Sequence, residues 1–589
     1  LNDKELLKDY VRKHWAVYLT AVLLIIASNI DQALLPLLLG RFTDRLQQEL
    51  LTMQDVIRYS LLLVAVAVSY NVLFALGQYT IMKLGRRFEF FTRDKLFGKF
   101  SELGVQYYAK QGNGKLLSYV MNDVTYVREA ISNGITQTTN AIFLLLSCVV
   151  MMLASGIPPL LICISAGPLL LIPFLVVYFG PRIRKRSSLV QESIASMTEA
   201  AEEQLGGIRV SKTFAVEDIA RARFGATVDD ITEKQLKLVR MSSLFQAMLP
   251  FLGSVSLVIS LLIGGIMVMH GSVTLGSFVA LTLYVRIIAG PLQQIGNVIN
   301  MMQRSGASLE RVNRLMAEIP DVSDHDQAAA LSSVHDITLR GLTFKYPGSS
   351  QQALKDLNLL IREGQTLGIV GRTGSGKSTL VHLLLRIYDP PEGSIWINGR
   401  DIHEYTLDSL RSAIAYVPQD GFLFSTTIRD NIAFSDRSAP IGHIEEGARQ
   451  AMIYDNIIRF PDRFETRLGE RGVTLSGGQR QRTSLARGLI KNSSLLILDD
   501  SMSAVDAVTE KGILASLRKM RKGKTTLIVS HRISAVMHAD QIIVLEEGRL
   551  AESGTHAELL SRQGIYAAMH KLQEEGLQDA ADPYRVNRS

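Results

Sequence analysis

The apolar positions of this chain follow two regimes. Over the first half they run together. Six stretches, about 16–40, 59–82, 137–156, 158–180, 244–270 and 275–302, are nearly unbroken in Leu, Ile, Val, Met, Phe and Ala. A membrane-crossing helix needs roughly 20 such residues, so each stretch predicts a span. The third and fourth are joined almost directly at Gly156-Ile157-Pro158, and the fifth and sixth by the short HGSVTLG. The polar segments after spans two and four keep a helical composition, as in RSSLVQESIASMTEAAEEQLGGIRV. About 25 helical residues reach roughly 37 Å. The spans are therefore expected to continue as helices beyond the bilayer. Past about residue 335 the pattern changes to short apolar runs between glycine turns: ITLRGLTFKY, QTLGIV, SAIAYV, SLLILD, TTLIVS and QIIVLEEG. Longer helical stretches separate them. Strands alternating with helices predict an α/β sheet domain.

The expected organisation is a transmembrane domain over 1–303, a polar linker over 304–335, an α/β domain over 336–574 and a loose polar C-terminal tail over 575–589. Composition agrees with this division. Hydrophobic residues make up 47% and charged residues 20%, which is greasy for a chain wholly in water and too polar for one wholly in lipid. The net charge of +7 is not gathered into a basic tract, which argues against nucleic acid as a partner. It sorts by loop instead. Residues 83–136 hold nine Lys and Arg and residues 181–240 hold eleven, whereas loop 41–58 balances three Arg against three acids. Positive charge stays on the cytoplasmic side. The N-terminus, both long loops and the α/β domain are therefore expected in the cytoplasm. Cys148 and Cys163 lie inside apolar runs at no metal or redox spacing and read as hydrophobic fillers. The charged lead-in LNDKELLKDYVRKH does not read as a cleavable signal.

The strand QTLGIV runs into GRTGSGKSTLVHLLLRIY. Gly371, Gly376, Lys377 and Ser378 satisfy G-x-x-x-x-G-K-[ST] between a strand and a helix. Glycines let the backbone turn its N–H groups toward phosphate oxygens, and the helix start adds its positive dipole end. Lys377 supplies a cation for the β and γ phosphates. Ser378 is placed for Mg²⁺, with Asp499, closing the later strand LLILD, as its acidic partner.

Between these two sites stands LSGGQRQR, Leu475 to Arg482. With it the chain resembles, over nearly its whole length, an ABC transporter half of the bacterial exporter kind, with six spans fused ahead of one ATPase domain. The resemblance implies a membrane α-helical fold of six transmembrane helices with long cytoplasmic extensions, joined to an α/β P-loop ABC ATPase domain. It implies ATP and Mg²⁺ as cofactors. ATP would be held by Tyr346 stacking on adenine, by Gly371, Thr373, Gly374, Ser375, Gly376, Lys377, Ser378 and Thr379 of the phosphate loop, and by Asp499. Ser378, Gln419 and Asp499 would serve the metal, with Gln419 in YVPQD as the Q-loop. His531 in SHR would be the switch histidine, and Ser503 to Asp506 the D-loop. LGERG at 468–472 looks like an exporter-specific segment. Leu475, Ser476, Gly477, Gly478 and Gln479 would cap the ATP of a second half-transporter, since two such domains close head to tail. Segments 116–130 and 212–224 would contain the coupling helices. Taken singly, Tyr346 could be a strand aromatic, Gln419 a loop amide and His531 a structural cap; their order around LSGGQ argues for the motif roles.

After Asp499 the family usually carries Glu, which polarises the attacking water. Here it is Asp500. Its carboxylate sits about 1.5 Å further back, one carbon–carbon bond, and a misplacement of about 1 Å can cost on the order of a hundredfold in rate. The expected consequence is a slow site that retains its nucleotide beside an intact signature. That combination resembles the degenerate-site subunit of heterodimeric multidrug exporters, although His531, which some such subunits lose, is kept. Within the spans, Asn29, Asp31 and Gln32, and Arg286, Gln293, Gln294 and Asn297, either line a pathway or bond between helices.

The reading is an ATP-driven exporter subunit in the bacterial inner membrane, multi-pass with both termini cytoplasmic. Its partners would be a different half-transporter carrying Glu, the lipid bilayer and a small lipophilic or amphipathic substrate. The rivals are a homodimeric lipid or glycolipid flippase, and a regulatory or channel-type subunit that binds ATP without pumping.

Overall fold

Long apolar helices and short buried strands segregate along the chain as the hydropathy pattern requires. The computed structural model describes residues 6–48, 52–469, 472 and 474–581. Part of LGERG, the side chain of Gln293 and the last eight residues lie outside the described residues. Contacts divide the chain into two units: Leu1–Glu102 with Gln111–Glu318, and Leu103–Lys110 with Ile319–Ser589.

The first unit contains six helices long and apolar enough to cross a membrane: α1 Leu6–Gln47, α2 Met53–Glu102, α3 Gly114–Ala154, α4 Pro159–Gly206, α5 Glu217–Met269 and α6 Leu275–Met316. Each outruns its apolar stretch, as expected. The outward faces are apolar: Leu61, Val64, Val68 and Val72 of α2 are all exposed. Such a row in water would be a liability; in lipid it is the ordinary surface. The crossing of α1 and α6 is tight. A Cβ on Gly276 would lie 1.9 Å from the Gly40 carbonyl oxygen, and the Gly276 N–H donates to Asp44 at 2.6 Å. The α3 helix widens into two π turns, Tyr119–Asp123 and Ala130–Gly134. Asp123 of the first is buried and accepts from Arg311 of α6 at 2.6 Å and from Ser308 at 2.8 Å. Glu89 of α2 is likewise buried and pairs with Arg86, Arg93 and Arg128. These pairs keep buried charges from being left alone, which would be costly.

One expected boundary differs. The α6 helix runs to Met316, so the linker read over 304–335 begins as helix. ERVNRLM has no helix breaker, and polarity alone misread it.

The second unit is built on two sheets. The strands are β1 Ile337–Phe344, β2 Leu354–Ile361, β3 Thr366–Val370, β4 Ile395–Ile397, β5 Arg400–Asp401, β6 Ile414–Val417, β7 Leu495–Asp499, β8 Thr525–Val529, β9 Gln541–Glu546 and β10 Arg549–Gly554. A smaller antiparallel sheet has the order β2-β1-β4-β5, and a six-stranded sheet the order β10-β9-β3-β8-β7-β6. In the larger sheet only β10 is antiparallel. Its inner strands are buried on both faces, and β7 and β8 are buried at every position, hence their unbroken apolar runs. Helices used below are α7 Lys377–Leu384, α8 Gly477–Leu489, α9 Ala507–Met520, α10 His556–Ser561 and α11 Ile565–Ala581. The α11 helix covers the start of the tail read as loose over 575–589. KLQEEGLQDAA is polar but made largely of good helix formers.

Candidate functional site: a nucleotide cleft at the strand ends

Adjacent parallel strands deliver their next residues to one edge of the sheet. The phosphate loop follows β3, Asp500 follows β7, His531 lies two residues past β8, and Gln419 two residues past β6. Because these strands are neighbours in the order β3-β8-β7-β6, four loops far apart in sequence meet. They enclose a cleft of about 820 Å³. It is lined by Tyr346, Gly371, Thr373, Gly374, Gly376, Lys377, Ser378, Thr379, Gln419, Asp499, Asp500 and His531, among others. Ser375 lies beneath the loop, 4% exposed, and its carbonyl accepts from the Gly548 N–H.

The phosphate loop requires glycine where it turns into α7. Gly376 has φ +99°, and a Cβ there would lie 2.6 Å from the Ala353 carbonyl oxygen. Lys377 donates to the carbonyls of Gly371 and Arg372 at 2.8 and 2.9 Å, closing the loop on itself. Burial pulls the Lys377 pKa down, while Asp500 and Asp499 oppose this. The first turn of α7 presents its free N–H groups, the favourable end of a helix for an anion. Ser378 donates to Asp499 at 3.2 Å, and Tyr416 reaches the other carboxylate oxygen at 3.5 Å. Burial raises the Asp499 pKa, partly offset by the bond from Ser378. A nearby cation would therefore be favourable for this carboxylate. Hydroxyl, carboxylate and amide oxygens are the hard donors that Mg²⁺ takes, in small number and together with substrate phosphates. Ser378, Asp499 and Gln419 fit that description.

Tyr346 donates to the Thr379 hydroxyl at 3.0 Å. Its ring stands edge-on to Tyr388 and Phe344, with centroids 5.0 and 5.2 Å away, so this aromatic wall is held by its neighbours. Asp500 has the left-handed φ of +44°. Its backbone N–H donates to the Val529 carbonyl at 2.8 Å. One carboxylate oxygen faces His531 Nδ1 at 3.0 Å and the other accepts from Gln419 Nε2 at 3.2 Å. The Asp500 side chain is 13% exposed and that of His531 is 53% exposed.

The signature residues stand apart from this cleft. Ser476 caps α8, accepting from the Gln479 N–H, while the Gln479 side chain accepts from the Ser476 N–H. Such a reciprocal box fixes the entry of Gly477 and Gly478 into the helix. Leu475 is buried. Asp506 caps α9 through the Thr509 N–H. The Ser503 hydroxyl accepts from Gln481 at 2.9 Å.

Gln481 was not singled out in the sequence. It donates to the Gln419 carbonyl and accepts from the Ala504 N–H, so one amide ties the loop of Gln419, the loop 503–506 and α8 together. Arg532 was also missed. It donates to the carbonyls of Ser503 and Val505 and pairs with Glu510 at 2.7 Å. Glu510 had a legible signal, being an acid on the face of α9 that Ile513, Leu514 and Leu517 bury. In the membrane unit, Asp31 accepts from Ser69 at 2.6 Å, and Asn29 is buried with no hydrogen-bond partner. Asn297 lines a cavity of about 850 Å³ between α4, α5 and α6, which also receives Arg184, Gln246, Asn300 and Arg304. Arg286 is exposed, and Gln32 and Gln294 are half-buried.

Comparison with known proteins agrees with this architecture. Residues 18–292 match the family of the ABC transporter transmembrane region, and residues 354–503 match the ABC transporter family. The probable multidrug resistance ABC transporter ATP-binding/permease protein YheI of Bacillus subtilis is 34% identical over 96% of each chain. The multidrug resistance-like ATP-binding protein MdlA of Escherichia coli is 32% identical over 98% of each. The ATP-dependent lipid A-core flippase of Pseudomonas fluorescens is 33% identical over 98% of this chain and 96% of its own. The solved structure of a bacterial Atm1-family ABC exporter with ATP bound superposes with a TM-score of 0.77 at 25% identity, over 96% of this chain and 98% of that one. With six membrane-crossing helices ahead of a P-loop ATPase, the chain belongs to the ABC transporter family and is an exporter whose ATPase drives translocation across a membrane.

Proposed function

We propose that the chain is one subunit of a heterodimeric exporter of lipophilic or amphipathic compounds, seated in the bacterial inner membrane with both termini in the cytoplasm. Its own ATP site is slow, and its signature serves the site of a partner carrying Glu. The observation that carries the reading is the engagement of Asp500: one carboxylate oxygen meets His531 and the other accepts from Gln419. A general base must aim a free lone pair at the attacking water. A carboxylate one methylene short and drawn to two protein partners is poorly placed for that. Mg²⁺, held by Ser378, Asp499 and Gln419, would supply charge neutralisation on the phosphates. Lys377 and the loop N–H groups bind and orient ATP, and Tyr346 offers adenine an aromatic face. Multidrug export draws its support from the names of YheI and MdlA.

The test is ATP turnover by the purified full-length chain in lipid nanodiscs. The native chain is expected to be slow, and Asp500→Glu to raise kcat by about tenfold or more with KM nearly unchanged. Brisk native turnover, abolished by Asp500→Asn, would instead support a homodimeric lipid flippase. The lipid A-core flippases among the relatives favour that second reading.

A further inference from the structure

The switch histidine is an exposed side chain on a short, poorly capped turn. With 53% of its side chain exposed, His531 is not held by packing, so its place depends on its backbone. The helical turn after it, Ile533–Val536, has Arg532 as N-cap with no side-chain cap bond. The first N–H groups of a helix lack internal partners. Here the missing partner arrives from the other end of the domain. Gln573 of α11 accepts from the Ile533 N–H at 2.9 Å and donates to the His531 carbonyl at 2.7 Å. One amide thus clasps the backbone on both sides of Arg532. Glutamine suits this because it offers a donor and an acceptor on one plane at the end of a three-bond reach.

The helix that carries Gln573 is itself anchored. Tyr566 is fully buried and its hydroxyl meets His556 Nδ1 at 2.7 Å. The N–H groups of Ile565 and Tyr566 donate to the Glu552 carboxylate at 2.6 and 3.1 Å. Residues 566, 569 and 573 fall on one helix face. The buried Tyr566 therefore fixes the rotation that points Met569 and Gln573 into the nucleotide cleft, which both line.

We propose that Gln573 is a positioning residue for ATP cleavage: it holds His531 at the edge of the nucleotide cleft by clasping the backbone around it, and α11 thereby controls the site from the C-terminal end of the domain. This requires only that the chain is an ATPase, not that its site is slow or its partner different.

The test uses the full-length chain in nanodiscs, with Asp500→Glu in every variant, so that the signal does not depend on how fast the native acid works. Cleavage of radiolabelled ATP is followed in a single turnover, and ATP affinity by equilibrium binding. Gln573→Met, which matches the length and loses both bonds, is expected to slow cleavage about tenfold while the ATP Kd moves less than about twofold. Gln573→Glu keeps the acceptor for Ile533 and is expected to fall between Met and the parent. In a His531→Ala background, Gln573→Met should have almost no further effect, because the two act through one group. A full-sized loss in that background would overturn the proposal, as would unchanged cleavage in the Met and Glu variants. Failure of the slow-site reading would appear separately, as a native chain already as fast as its Asp500→Glu form.

Discussion

Gly376 is where the phosphate loop tolerates least. Its φ of +99° and the Ala353 carbonyl 2.6 Å from any Cβ act against the same substitution. Left-handed backbone costs an L-residue about 1–2 kcal/mol, and the clash forces the loop outward as well. Gly376→Ala is expected to weaken ATP binding at least about tenfold, since the loop N–H groups no longer converge. Titration with a fluorescent ATP analogue would show it. Unchanged affinity would mean that the loop does not grip phosphate through its backbone. Residues of this kind were legible because phosphate chemistry fixes both their type and their spacing. Gln481, Arg532 and Gln573 were not. Their partners are backbone carbonyls and N–H groups of loops remote in sequence, and nothing local marks a glutamine or arginine as serving such a group.

Among the elements, the strands that were legible are chiefly those buried in the parallel sheet, where the apolar run is continuous. The strands missed, β2, β4, β5 and β10, all pair antiparallel. The pairing of β1 with β2 breaks register twice, between Leu339 and Leu342 and between Leu342 and Phe344. Such irregularities shift the alternation of faces, and a period-two pattern no longer reads as one strand. The start of the tail, read as loose from 575, continues a helix whose apolar anchors all lie upstream, and that helix is firmly seated there; its seat depends on pH. The Tyr566 hydroxyl lies 2.7 Å from His556 Nδ1 and can donate to it only while that nitrogen carries no proton. Burial lowers the His556 pKa, and His570 and His538 lower it further. Glu574 faces His570 rather than His556. A depressed folded pKa means that the unfolded chain binds protons more readily. Stability is therefore full above the ordinary imidazole value of 6.5 and is lost as pH falls below it, through the folded value. The Tm of the full-length protein's ATPase transition should drop between about pH 7 and pH 5. His556→Gln, which keeps an acceptor for Tyr566, should flatten that drop; an unchanged slope would remove His556 as its cause.

For the molecule as a whole, hydropathy and charge carry separate information. Hydropathy locates six spans. It does not show where the helices end, because their polar extensions look like surface loops until they are seen to be continuous. Charge bears on orientation, since the Lys and Arg gather in 83–136 and 181–240 and are absent from the short connections. The proposed orientation, which rests on this charge bias, has a direct test. Both native cysteines lie within spans, Cys148 buried and Cys163 exposed on an apolar helix, so replacing them with alanine leaves a clean background for reporter thiols. Ser272→Cys, on the exposed turn between α5 and α6, should react with a membrane-impermeant maleimide added to intact spheroplasts. Ser438→Cys, exposed in the second unit, should react only after lysis. The reverse pattern would place the ATPase outside the cell, away from ATP, and would overturn the charge argument for orientation and export together. Reaction of both thiols in intact spheroplasts would mean that the membrane was breached, which an untouched cytoplasmic marker enzyme rules in or out.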